Sequence, residues 1–256
     1  KGGDMVALTD AALQYERVLP RSMAAIRQAV LPVAVDSLAI QAGEAGSSVA
    51  SFGSPVEALS RGFPKAAEAI DRRLAPVLID TLVRTVRDGG IGFDGLDASI
   101  RTFRALAPSQ VVSMERRVTD AINEVLSEAA RQQRLDVVAT ATRTVLGVLP
   151  GATQAVESRV GPLLTDRLME IARRGDIDAL AEPTQTFRRL LPGAVEDMQS
   201  RLVPAAVDAL VTLTGRGDTP VRALELGHQY QPIPLVVLFL QNRGVECRGF
   251  QFQARG

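Results

Sequence analysis

Proline recurs along this chain at a near-constant interval, always behind an apolar residue: VLP at Pro20, FP at Pro64, AP at Pro108, LP at Pro150 and LP at Pro192. The spacings are 44, 44, 42 and 42 residues. A period of this length marks a chain of repeated supersecondary units, each too small to bury its apolar face alone. The fold is therefore constrained first by what one unit looks like and then by how copies stack.

Aligned on the proline, each unit carries apolar residues 15, 12, 8, 5 and 1 positions upstream; in repeat one these are Met5, Leu8, Ala12, Tyr15 and Leu19. In repeat five they are Ile177, Leu180, Phe187 and Leu191, with Thr184 in the third place. Steps of three and four trace one face of a helix, here called helix A. The proline ends it, because the residue before proline is pushed out of the α region, and then suits the first turn of a second helix.

Downstream the register persists. Six positions after the proline stand Ile26, Ile70, Met114, Val156 and Met198, and eighteen after it stands leucine in every repeat: Leu38, Leu82, Leu126, Leu168 and Leu210. Helix B is predicted to run about 24 residues, ending where Gly89, Gly175 and Gly217 suit a left-handed cap. A second proline lies twelve positions after the first at Pro32, Pro76, Pro162 and Pro204, but repeat three has Asp120 there. That comparison predicts long helices bent at proline; three helices per repeat is the alternative.

In period, helix count and bent second helices the pattern resembles the HEAT and armadillo class of α-solenoids over residues 5 to 218. The resemblance is one of architecture. It implies an all-α array divided as 1–48 (repeat one and a Gly/Ser-rich loop), 49–92, 93–134, 135–176 and 177–218, with 219–256 as a C-terminal cap. Within that cap PLVVLFLQ, NRG and VECRGFQFQ read as two strands about a turn, a hairpin over 233–253, or as a degenerate sixth repeat.

Composition narrows the function. Lys plus Arg and Asp plus Glu number 29 each, so no net field draws the chain to nucleic acid or anionic lipid. The single cysteine, Cys247, excludes an internal disulfide and points to a reducing, intracellular compartment. The longest unbroken apolar run, 233–240, is too short to span a membrane.

Catalytic signals are sparse. His228 is the only histidine, which rules out a multi-histidine metal site, and no phosphate loop or nucleophile elbow is present. An enzyme would have to be built around His228 and Cys247, and no cofactor is implied. RGD occurs at 174–176 and 216–218, both at the point where helix B must stop, so a capping role outweighs an adhesion motif.

Two polar columns carry more information. Nine positions after the proline stand Arg73, Arg117, Arg159 and Arg201, and sixteen after it Asp36, Asp80, Glu124, Asp166 and Asp208. The arginines could form a binding ladder for an acidic or phosphate-rich partner, RNA included. Alternatively arginines and acids of adjoining repeats pair and fix the stacking. The expectation is a non-enzymatic helical scaffold binding another protein, with a helical-repeat RNA binder as the alternative.

Overall fold

The computed structural model describes residues 5–89 and 93–215, and among them all regular structure is helical. The chain separates into two compact bodies, residues 1–159 and 160–256. The first holds α1 (Met5–Val18), α2 (Met23–Gly43), α3 (Gly53–Gly62), α4 (Ala66–Ala69), α5 (Ala75–Asp88), α6 (Leu96–Leu106), α7 (Val111–Arg131), α8 (Leu135–Val148) and the start of α9 (Thr153–Arg173). The second holds the rest of α9, α10 (Ile177–Leu190) and α11 (Val195–Gly215).

The proline signature makes the same turn five times. The residue before each proline lies outside the helix, with φ/ψ of −132/60 at Leu19, −133/100 at Phe63, −137/65 at Ala107, −127/74 at Leu149 and −128/66 at Leu191. Its N–H still donates to the carbonyl four residues back, closing helix A, at 2.7 to 2.9 Å in each repeat. Its own carbonyl accepts from the residue two beyond the proline, as in Ser22 to Leu19 at 3.1 Å and Ala152 to Leu149 at 2.9 Å. Proline itself has no N–H to leave unsatisfied, so the start of helix B has one free donor fewer to place.

Within the first body, first helices meet first helices and second helices meet second helices: α1 packs on α3, α3 on α6, α2 on α5 and α5 on α7. The apolar register fills these contacts. Leu38, Leu82 and Leu126 are buried there, as are Ile70, Met114 and Val156 six positions after the proline, and in the second body Leu168 and Met198 are buried likewise. The helix A stripe is buried throughout repeats two and three, including Val56, Leu59, Ile100 and Phe103. Repeat one departs from it, since Tyr15 and Leu19 are exposed.

Three second helices continue unbroken past their proline: α2 across Pro32, α9 across Pro162 and α11 across Pro204, each 21 residues long. Repeat three, without the proline, has a helix of the same 21 residues in α7. Repeat two is different. There α4 passes into a π-turn over Ile70–Leu74 before α5 begins with Pro76 in its first turn. The wider turn restarts the helix, so proline sits where its missing N–H costs least.

The expected glycine caps are only partly found. Gly175 is left-handed at φ 75, but Gly89 has φ −71, and in repeat three the left-handed position is taken by Gln133 at φ 63. Gln133 holds it because the last turn of α7 closes around it: the Gln133 N–H donates to Ala130 O at 3.1 Å and the Arg134 N–H to Ala129 O at 3.2 Å. Gly217 and the hairpin expected over 233–253 lie outside the described residues.

The loop expected after repeat one is shorter than its composition implies. Val49–Phe52 forms a 3₁₀ turn with Val49 and Phe52 buried, and Ser47 Oγ donates to Gln41 O at 2.6 Å. Among the described residues one helix, α2, is long and apolar enough to cross a membrane, although no unbroken run in it is. Both of its charges, however, are paired to neighbouring helices: Arg27 with Glu16 at 2.9 Å and Asp36 with Arg73 at 2.7 Å.

Leu126 is fully buried, so Leu126→Ala should lower the unfolding free energy by about 2 to 5 kcal/mol in urea titration. Gln133→Gly should raise it by about 0.5 to 1 kcal/mol, by relieving a left-handed residue that carries a Cβ. A neutral or destabilising outcome would show that Gln133 is not strained.

Candidate functional site: an ion-pair ladder between repeats

The two polar columns meet, and they meet across repeats. Arg73 in repeat two donates through one guanidinium nitrogen to both carboxylate oxygens of Asp36 in repeat one, at 2.8 and 2.7 Å. Arg117 in repeat three reaches Asp80 in repeat two at 2.6 Å. In the second body Arg201 of repeat five bonds Asp166 of repeat four and lies 3.7 Å from Asp197. The hydrogen bond that Arg201 donates to Asp166 is the first cause holding its guanidinium above its ordinary pKa.

The sequence separations in these pairs, 37, 37 and 35, are the local period less seven. An arginine nine positions after one proline therefore faces the acid sixteen positions after the previous one. The fourth arginine breaks the rule. Arg159 lies 3.9 Å from Asp120, because Glu124, the acid it should meet, is taken by Arg87 of repeat two at 2.8 Å. Asp120 fills the place where the other repeats have proline, so the loss of proline supplies the replacement acid.

Other contacts across repeats were not visible as columns. Thr81 Oγ1 donates to Ala42 O at 2.7 Å and Arg84 to Gly43 O at 2.9 Å, so repeat two satisfies the carbonyls left open at the end of α2. Within repeats, Glu16 with Arg27 (2.9 Å) and Arg104 with Glu115 (2.7 Å) tie helix A to helix B at equivalent positions with opposite polarity. A swapped sign at a fixed position is the mark of a pair selected for geometry, since either orientation closes the same gap.

The first RGD copy is a junction. Gly175 takes the left-handed conformation that ends α9, and the Asp176 side chain accepts from the Ala179 N–H at 3.1 Å, capping α10. The second copy, His228 and Cys247 lie outside the described residues. Also in the second body is an open groove of about 400 Å³ bordered by Met169, Arg173, Arg201, Pro204 and Asp208. It carries both signs of charge. Among the described residues no group of three or more His, Cys, Asp or Glu side chains converges as a metal site would.

No protein-family model, curated protein or solved structure matches the chain. The described residues thus define a class by their own geometry: an all-helical protein of repeated, proline-turned helix pairs tied to one another by arginine–carboxylate contacts.

The pairs are about half exposed, Arg117 at 48% and Asp80 at 55%. A double-mutant cycle on Arg117→Gln and Asp80→Asn should give a coupling of about 0.2 to 1 kcal/mol that shrinks with added salt. A coupling above about 2 kcal/mol would mean that the ladder is far less hydrated than its exposure implies.

Proposed function

We propose that this chain is a non-enzymatic helical scaffold, an α-solenoid-like array that holds a partner protein along its extended surface. The observation that carries the reading is the repeated contact between neighbours: one turn geometry in five repeats and one arginine–acid spacing in three pairs. Contacts only between adjacent copies make an array whose length is set by repeat number and whose surface grows with it. Most of the recurring charged side chains pair between neighbouring repeats, and this use in stacking supports a scaffold over an enzyme. A lone cysteine, Cys247, supports an intracellular setting.

The arginine column also bears on the RNA alternative. A reading column needs guanidinium groups free to face bases and phosphates, whereas Arg73, Arg117 and Arg201 each already bond a carboxylate.

A nearest-neighbour array tolerates removal of one whole repeat. Deleting residues 93–134 would bring Arg159 opposite Asp80, the acid at the ladder position, and the shortened chain should remain helical with cooperative unfolding. Loss of the folded state in that variant, as complete as in one lacking only 93–113, would defeat the array. Arg117→Gln, Arg159→Gln and Arg201→Gln combined should lower the melting temperature and leave no RNA affinity to lose. Single-stranded RNA binding that falls steeply with salt and disappears in this triple variant would replace the scaffold with an RNA reader.

A further inference from the structure

In repeat two, four helix B positions meet the repeat before it. Arg73, nine after the proline, bonds Asp36 of α2. Val77, thirteen after it, lies 3.9 Å from where a Cβ on Gly43 would stand, and Thr81, seventeen after it, donates to Ala42 O at 2.7 Å. Arg84, twenty after it, donates to Gly43 O at 2.9 Å. What receives them on repeat one is an acid sixteen positions after its proline and a helix end closing in glycine at position twenty-three, whose carbonyls have no partner within the helix.

Repeat five presents the same receiving side. Asp208 stands sixteen positions after Pro192, and α11 ends at Gly215, twenty-three after it, as α2 ends at Gly43. The repeats between them carry Arg87, Arg131 and Arg173 at that position, so the ends of α2 and α11 are alike and differ from the others.

The sequence beyond α11 carries residues that match it. Residues 216–256 lie outside the described residues, and within them Pro234 follows Pro192 by 42. Nine positions after Pro234 stands Arg243, whose separation of 35 from Asp208 equals that of Arg201 from Asp166. Position thirteen is Cys247, a small apolar side chain where the described repeats have valine, alanine or leucine. Position seventeen is Gln251, whose amide can donate to a carbonyl as Thr81 does, and position twenty is Ala254, without the donor of Arg84. The match is confined to this side. Upstream, Thr219, Arg222 and Gln229 replace the helix A stripe, and Gly244 and Arg248 stand where Leu74 and Leu78 are buried in repeat two. What persists is the set that meets a preceding repeat.

We infer that the end of α11 is a docking site for the chain's own segment 234–254, with Arg243 on Asp208 and Cys247 against Gly215. Charge and spacing agree on this occupant, since the segment sets an arginine at the ladder interval from the ladder acid. Tethering through 216–233 makes the contact intramolecular, so pairs that are individually weak suffice to hold it. Cys247 then has a packing role instead of a nucleophilic one. The inference uses the repeat spacing alone, so it stands or falls separately from the scaffold reading.

Thiol chemistry on the full chain tests it, because Cys247 is the only cysteine. Gly215→Cys should form an intramolecular disulfide with Cys247 on mild oxidation, read as a faster band on a non-reducing gel, while circular dichroism is unchanged. Phe239→Cys, which a hairpin turning at NRG would set opposite Cys247, should stay reduced. Without any change at the end of α11, Cys247 should react slowly with a water-soluble thiol reagent. Asp208→Arg should speed that reaction about two- to fivefold, and adding Arg243→Asp should restore the slow rate. A Gly215→Cys chain that stays reduced, or that links only to a second copy, overturns the inference. So does a disulfide in the Phe239→Cys chain, or a thiol whose reaction is as fast as in denaturant or indifferent to Asp208→Arg.

Discussion

The backbone turn at the repeat proline is the constraint on which the rest depends. A residue before proline is barred from the α region, so helix A must stop there. Its N–H nevertheless closes the last turn of helix A, and its carbonyl accepts from the residue two beyond the proline in the first turn of helix B. The angle between the helices is therefore set by covalent geometry and two hydrogen bonds before any side chain packs. Because that angle repeats, residues a fixed count from each proline meet equivalent neighbours. The buried leucines eighteen positions on are the consequence.

Regular stacking then places charge with little freedom. An arginine at nine and an acid at sixteen cannot pair within one helix, being nearly two turns apart, but the step from one repeat to the next brings them together. The exception supports this account. Where Glu124 is diverted to Arg87, Arg159 goes to Asp120 one turn earlier on the same helix, and the contact lengthens to 3.9 Å. Each link is worth little in water, so what the ladder supplies is register between neighbours more than stability.

Period, helix pairing and the buried register were legible in the sequence because each is a matter of counting residues from a fixed point. The ladder's residues were legible for the same reason, and pairing between adjoining repeats is one of the two roles their spacing allows. What counting could not supply was local backbone compromise. Nothing in the spacing distinguishes Pro32, which α2 runs through, from Pro76, which needs a π-turn ahead of it. Nor does composition show that Gly89 would keep an ordinary helical φ while Gln133 takes the left-handed one. Those choices turn on how the last turns of α5 and α7 close, and such closure depends on hydrogen bonds that are not periodic.

The two kinds of contact between repeats also differ in what they demand of an end. Apolar stripes are indifferent to partner, since any complementary apolar surface covers them, whereas an arginine without its acid leaves a bare charge on the rim. Repeat one carries Ala29 where the later repeats have the ladder arginine, so this face holds no guanidinium that needs an acid. Repeat one also keeps Val18, Val33 and Ile40 in the open and adds apolar bulk where later repeats have charge. That face has shed its means of holding another repeat through the ladder while keeping its apolar side chains in the open.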